Sequence, residues 1–137
     1  MTLQVQLVSP ERILWAGEAA MVTARTVGGG DITFLTGHAP FVGALEIGKV
    51  TVRPDEGADL HFAVHGGFVE VSNDEVSLLT DVAESRDMID QARAQDALDR
   101  AKAEMAADGE DPAPVAAKRR AELRLEVLGV ANGAVTA

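Results

Sequence analysis

Residues 84–100 read ESRDMIDQARAQDALDR, and the character of the chain changes across them. Before this stretch the apolar runs alternate or are short and β-branched; after it, apolar residues recur at helical spacing. It is a hinge between two kinds of structure. Asp87 is placed to cap a helix whose first turn is Met88-Ile89-Asp90, with Asp90 near the positive end of the helix dipole. Arg93 follows one turn on and Arg100 two turns further, so the three charges project from roughly one side. One acid and two guanidinium groups beside a run of alanines suit a polyphosphate with its ribose or base. A solvated helix face reads the same way.

The 137 residues allow one full domain and an appendage. No apolar run is long enough to span a bilayer, and the N-terminus, MTLQVQLVSPE, lacks the blocks of a signal or transit peptide. An intracellular, complete chain is expected, with no direct membrane insertion. The absence of cysteine excludes disulfides and thiolate metal sites. A formal charge of −10 argues against general binding to nucleic acid or an anionic membrane. The charge is uneven: residues 1–85 carry four Lys/Arg against twelve Asp/Glu, residues 86–137 eight against ten. Within the second part Lys118, Arg119, Arg120 and Arg124 are grouped, which fits an acidic partner or anionic ligand, or equally a solvated helix end.

Residues 1–85 read as strands. Leu3–Val8 alternates; Ile13–Gly17, Ala20–Thr26, Ile32–Leu35, Phe41–Leu45, Gly48–Arg53, Leu60–His65, Phe68–Val71 and Val76–Thr80 follow. Turns are expected at Ser9-Pro10-Glu11, Pro54–Gly57, Gly66-Gly67 and Ser72–Asp74. Short, evenly spaced strands predict an antiparallel sandwich or flattened barrel. Trp15 reads as a core or interface residue. Gly28-Gly29-Gly30-Asp31 is a tight acidic tip rather than a phosphate loop, since no lysine and no helix pattern follow. His38, between glycine and proline, reads as structural, with no partner acid or nucleophile nearby. His61 and His65 share a strand face; with no third ligand evident they read as exposed side chains, not a metal site. No catalytic set can be assembled.

Residues 86–137 read as a helical hairpin: Met88 to about Ala107 with a stripe of Ala94, Leu98, Ala101 and Met105, a break at 107–114, then about Val115 to Leu128 with Ala117, Ala121, Leu125 and Leu128. Both stripes are thin and alanine-rich, so the stabilisation from burial is modest. Gly129–Ala137 reads as a frayed tail. The fold class is thus α+β, an N-terminal antiparallel β-sandwich (1–85) followed by a C-terminal α-helical hairpin (86–137).

That order, together with Val5–Ser9, Gly37-His38-Ala39-Pro40, Val64–Val71 and Val76–Ala83, resembles the ε subunit of F-type ATP synthase over nearly the whole chain, to about Leu128. The resemblance implies a non-catalytic subunit of the central rotor stalk, with no required cofactor. Its sandwich would pack on the γ subunit and stand on the c-ring, with Asp31 and His38 as ring contacts. It would lie at the cytoplasmic face of the bacterial plasma membrane as a peripheral protein. The hairpin would fold against the sandwich, or extend toward the α and β subunits and block ATP hydrolysis, with Lys118, Arg119, Arg120 and Arg124 as the inhibitory contact. Some members bind ATP in the folded hairpin through Ile or Leu, Asp, two variable residues, Arg and Ala. Ile89-Asp90-Gln91-Ala92-Arg93-Ala94 fits that motif, and Glu84, Arg100, Arg120 and Arg124 are further matching positions, making ATP a regulatory ligand. Thr33 and Thr36 depart from the glycine and proline common there. Two other classes compete: a free-standing small-molecule binding module with the hairpin as lid, and an enzyme built on His38 or on His61 and His65, for which no nucleophile–base–acid set is available.

Overall fold

The computed structural model describes residues 2–131 and 134–135. The chain divides into two compact units, Met1–Ser85 and Arg86–Ala137.

The first unit holds β1 (Leu3–Val8), β2 (Ile13–Thr26), β3 (Gly30–Leu35), β4 (Phe41–Pro54), β5 (Leu60–Ser72), β6 (Glu75–Thr80) and β7 (Ala83–Ser85). In β1 the alternation is obeyed: Leu3, Val5 and Leu7 are buried, Gln4 and Gln6 exposed. The expectation of uniformly short strands is corrected. Three pairs of predicted strands each fuse into one strand of 13 or 14 residues. Between the halves stand Glu18-Ala19, Glu46-Ile47 and Gly66-Gly67, and each of these stays extended enough to keep the ladder going.

Two of the three long strands change partners along their length. β2 pairs with β1 over Ile13–Ala19 and with β3 over Met21–Thr26. β5 pairs with β7 over Phe62–Val64 and with β6 over Gly67–Ser72. Because β1 joins both β2 and β6, the strands β1–β6–β5–β4–β2 close on themselves, and the unit is a sandwich flattened from a barrel. The β1–β6 pair is parallel and the other pairs of this unit antiparallel. Phe34, Phe62, Leu3, Leu7, Leu78, Val50 and Val52 of β4 and the valines of β2, β5 and β6 fill the interior, and Trp15 packs against it half-buried. The two buried hydroxyls are satisfied: Thr80 Oγ1 donates to Val8 O at 2.7 Å and Thr26 Oγ1 to Gly30 O at 3.1 Å.

Gly66-Gly67 is where sequence reading and structure differ most. It is not a turn; Ile47 faces His65 and Leu45 faces Gly67, so the β4–β5 pairing holds on both sides of Gly66 in the same register. The two glycines, at φ +89° and +127°, bend the strand instead. A Cβ on Gly67 would run into Leu79 O and Thr80 Cα, both backbone atoms of β6.

The second unit opens with a 3-10 turn at Arg86–Met88, then α1 (Gln91–Ala107) and α2 (Ala113–Val127). The expected cap at Asp87 is corrected to Asp90. The 3-10 turn closes with Ile89 N–H on Arg86 O, Asp90 takes an extended conformation, and its carboxylate accepts the Arg93 N–H at 3.1 Å. α2 carries Pro114 in its first turn, where a missing N–H costs nothing. It ends at Leu128, and Gly129, at φ +83°, turns the chain out with its N–H on Glu126 O. Ala94, Leu98, Ala121 and Leu125 form the contact between the helices, with Ala97 and Leu128 at its margin. Ala101 is buried as read, Met105 and Ala117 only half so, and Leu123 and Val127 are buried off the expected stripe. In the tail read as frayed, β8 (Val130–Ala131) pairs with β9 (Ala134–Val135); residues 132, 133, 136 and 137 lie outside the described residues.

Gly67→Ala is expected to destabilise the first unit by about 3 kcal/mol or more, from backbone overlap and an unfavourable φ together. Gly28→Ala is the control: at φ +78°, with open space around it, it is expected to cost about 1–2 kcal/mol. Thermal melts of both variants check the ordering; equal melting temperatures would show that the bend does not depend on glycine.

Candidate functional site

The four arginines of the nucleotide reading follow one pattern. Arg93, Arg100, Arg120 and Arg124 each stand one residue before a buried side chain: Ala94, Ala101, Ala121 and Leu125. One residue is about 100° of helix, so each arginine lies the same angle to one side of its buried stripe. The five residues Asp108–Pro112 join the helices, and the side chains in contact make the pair antiparallel. In an antiparallel pair that angular offset places both arginine pairs on the same flank. Arg93 and Arg100 are exposed, Arg120 and Arg124 half-buried.

The basic group read from Lys118, Arg119, Arg120 and Arg124 leaves α2 in several directions. At about 100° per residue, Lys118 falls on the other flank and Arg119 on the back of α2, away from Arg120 and Arg124. Adjacency in sequence here spreads charge around the helix.

Asp90 is committed to the α1 cap, which fixes its carboxylate over the first turn. Ile89 is half-buried between the 3-10 turn and Asp90, and Ala94 belongs to the helix–helix contact. Glu84 lies in β7, opposite Ala63 of β5. Its Oε1 is 2.8 Å from His65 Nε2, the two side chains being 19% and 5% exposed. The reading of His65 as exposed is therefore corrected: it is buried, because β7, absent from the predicted strands, brings a carboxylate to it. Its Nδ1 is buried with no hydrogen-bond partner. His61 is half-buried, with Nδ1 2.9 Å from Thr51 Oγ1. Among the described residues no group of three or more His, Asp or Glu is placed to hold a metal ion.

Asp31 and His38 do not converge. Asp31 stands near the start of β3 and His38 in the turn after its last residue, Leu35, so about 14 Å of extended chain lies between them. Asp31 pairs with Arg25 across the β2–β3 hairpin, Nε to Oδ1 at 3.1 Å, so the tip is less acidic than its sequence suggests. The Arg53–Asp59 pair is similar; its hydrogen bond raises the arginine and lowers the carboxyl from their ordinary pKa values, with Arg53 exposed and Asp59 half-buried. His38 packs its edge on Phe34, ring centroids 5.0 Å apart, and its Nδ1 lies 2.6 Å from Ala39 O. Gly37 N–H donates to Asp74 Oδ1 at 2.7 Å, tying this turn to the β5–β6 turn. Thr33, one of the departures from the family pattern, is held by Thr23, hydroxyl to hydroxyl at 2.8 Å.

One surface was missed from sequence. Ala44, Phe68, Leu79, Val8 and Ile13 lie in register across β4, β5, β6, β1 and β2. Phe68, Leu79 and Ile13 are 59%, 47% and 60% exposed, and Val42 and Val27 extend the row. Adjacent apolar pairs were the available signal: Val42 follows Phe41, Phe68 precedes Val69 and Leu79 follows Leu78, so both faces of these strands are apolar there.

No helix among the described residues is long and apolar enough to cross a membrane. Residues 2–86 match the family described as ATP synthase, Delta/Epsilon chain, beta-sandwich domain. The chain is 45% identical over 128 residues to the ATP synthase epsilon chain of Streptomyces griseus, covering 93% of this chain and 96% of that one. It is 46% identical over 82 residues to the epsilon chain of Corynebacterium diphtheriae, 59% of this chain and 66% of that one. Among solved structures it is similar to a chain of the Euglena gracilis mitochondrial ATP synthase OSCP/F1/c-ring assembly: TM-score 0.70 and 25% identity over 93% of this chain and 77% of that one. A chain of the Tetrahymena thermophila mitochondrial ATP synthase central stalk and c-ring shares the fold at 15% identity and TM-score 0.59, over 93% and 97%. A closed, bent-strand sandwich followed by a two-helix hairpin, matched in sequence along nearly its full length, places this chain in the ATP synthase epsilon chain family.

Proposed function

We propose that the chain is a non-catalytic rotor subunit whose sandwich is seated on the γ subunit and c-ring, and whose hairpin governs ATP hydrolysis by the α and β subunits. The complex would hold it as a peripheral protein at the cytoplasmic face of a bacterial plasma membrane. The observation that carries the seat is the apolar row across five strands. Large side chains exposed in register on a rigid sheet favour a permanent protein partner. The sandwich suits torque transmission because its strands close on themselves and its core is continuous. Phe68→Glu puts a charge in the middle of the row without touching the core. It is expected to leave the melting temperature of the isolated chain within about 3 °C while abolishing co-purification with γ; retention on γ at parental yield would refute this seat.

The hairpin has different energetics. In the contact between the helices two fully buried leucines, Leu98 and Leu125, contribute about 3–6 kcal/mol and the alanines add little, while Leu123 and Val127 are buried outside that contact. A helix pair held so lightly can exchange a folded state for an extended, inhibiting one. Removing residues 88–137 is expected to raise ATP hydrolysis by the assembled enzyme several-fold while ATP synthesis continues. Hydrolysis rates of membranes with the full-length and the shortened chain decide it; unchanged hydrolysis removes the inhibitory role.

The shared flank of Arg93, Arg100, Arg120 and Arg124 supports ATP as the ligand that favours the folded hairpin. Two like charges about 7 Å apart repel by roughly 0.6–2.4 kcal/mol at effective dielectric constants of 80 to 20. A triphosphate relieves that repulsion only where the four are gathered, so it shifts the population toward the folded state. Within the hairpin Ile89, Asp90 and Ala94 complete the set, Asp90 and Ala94 by fixing the start and packing of α1. In isothermal titration of the isolated chain, Arg93→Ala is expected to weaken ATP binding at least 10-fold. An affinity equal to the parent's, or no binding in the parent, overturns the nucleotide reading.

A further inference from the structure

The buried contact between His65 and Glu84 has no part in the apolar row, and it is made on the last strand before the hairpin. β7 is three residues long and pairs with β5 through Ala83, Glu84 and Ser85 alone. The first compact unit ends at Ser85 and the second begins at Arg86. Upstream, the next firm side-chain anchor is Thr80, whose hydroxyl donates to Val8 O. Between Thr80 and β7, the chain is held by Asp81 N–H on Gly66 O and by His65 N–H on Val82 O. Asp81 and Val82 themselves are exposed. A strand this short gains little from its ladder, so a buried side-chain hydrogen bond is a large fraction of what retains it.

The ring geometry points the same way. Nε2 meets the carboxylate at 2.8 Å, while Nδ1 is buried without a partner. Burying a polar atom unpaired is costly, so a histidine is a poor choice here for packing alone. It is explained when the other nitrogen has a role that an apolar residue cannot fill.

We propose that His65–Glu84 is a clasp that fixes the root of the hairpin. Closed, it ends the sandwich at Ser85, so the hairpin departs from Arg86. Open, it releases Asp81–Ser85 from the sheet and adds these residues to the tether, about 16 Å of reach at roughly 3.3 Å per residue. His65 acts through Glu84 and is a positioning residue: it sets where the moving segment begins. The significance for regulation rests on the reading of the hairpin as a mobile arm; the clasp itself does not.

Hydrogen exchange of the full chain tests this without nucleotide or partner subunits, so its failure is distinct from failure of the rotor or ATP readings. In His65→Leu, the amides of Ala83–Ser85 bonded to β5 are expected to exchange at least 10-fold faster, with the amides of the β5–β6 ladder within twofold of the parent. Glu84→Ala is expected to match His65→Leu, and it carries the test if the buried leucine prevents folding. Glu84→Gln keeps an acceptor oxygen and is expected to stay within threefold of the parent. Unchanged exchange at Ala83–Ser85 in both His65→Leu and Glu84→Ala would overturn the clasp. So would acceleration spread equally over β4, β5 and β6, which would make His65 a packing residue.

Discussion

The bend at Gly66-Gly67 is the constraint from which the rest of the first unit follows. β5 has to serve two sets of neighbours, β7 before the bend and β6 after it, without leaving the β4 ladder. Two successive residues at positive φ achieve this, and the backbone of Leu79 and Thr80 approaches so closely that a side chain on Gly67 has no room. The bend also separates the two features on which the proposals rest. His65, just before it, is buried against Glu84; Phe68, just after it, stands on the outer apolar row. One backbone feature therefore underlies both the seat and the root of the hairpin.

Much of this was legible in sequence, and the exceptions have physical causes. Alternation in Leu3–Val8 and the 3.6-residue recurrence of Ala94, Leu98 and Ala101 gave the right elements because one face of each is buried. Gly66-Gly67 misled because glycine pairs favour turns, yet positive φ inside a ladder is served by the same residue. β7 was invisible: three residues carry no period, and its existence depends on pairing with a strand about twenty positions away. The same gap hid the burial of His65. The start of α1 slipped from Asp87 to Asp90 because both are competent caps, and only the backbone conformation between them separates the two.

The candidate site divides along a similar line. The matching of Arg93, Arg100, Arg120 and Arg124 to a common offset from buried residues is a helical-phase argument, open to anyone holding the sequence and the antiparallel pairing. The grouping of Lys118 and Arg119 with Arg120 and Arg124 is one of sequence, and helical phase spreads the four around α2. Asp31 and His38 were associated through the resemblance, and nothing in a linear sequence shows that a six-residue strand holds them apart. The Arg25–Asp31 pair likewise needed the hairpin register, which brings residues 25 and 31 opposite one another.

The two units differ in how they are packed, and that difference suits the proposed rotor regulator. The sandwich has a core drawn from six of its seven strands and from β7 through Ala83, and a ring of pairings with no gap between β1, β6, β5, β4 and β2. Deforming it breaks many contacts together, so it moves as a body. The helix pair has a contact of four buried side chains, two of them alanine. Losing it costs little, and the helices keep their own backbone hydrogen bonds when they part, so the separated state is a pair of intact helices and not an unfolded chain. A ligand or partner then needs only a few kcal/mol of preference to choose between the two arrangements. A hairpin packed as densely as the sandwich would not suit the proposed switch, and a sandwich packed as lightly as the hairpin would not suit the proposed transmission of torque.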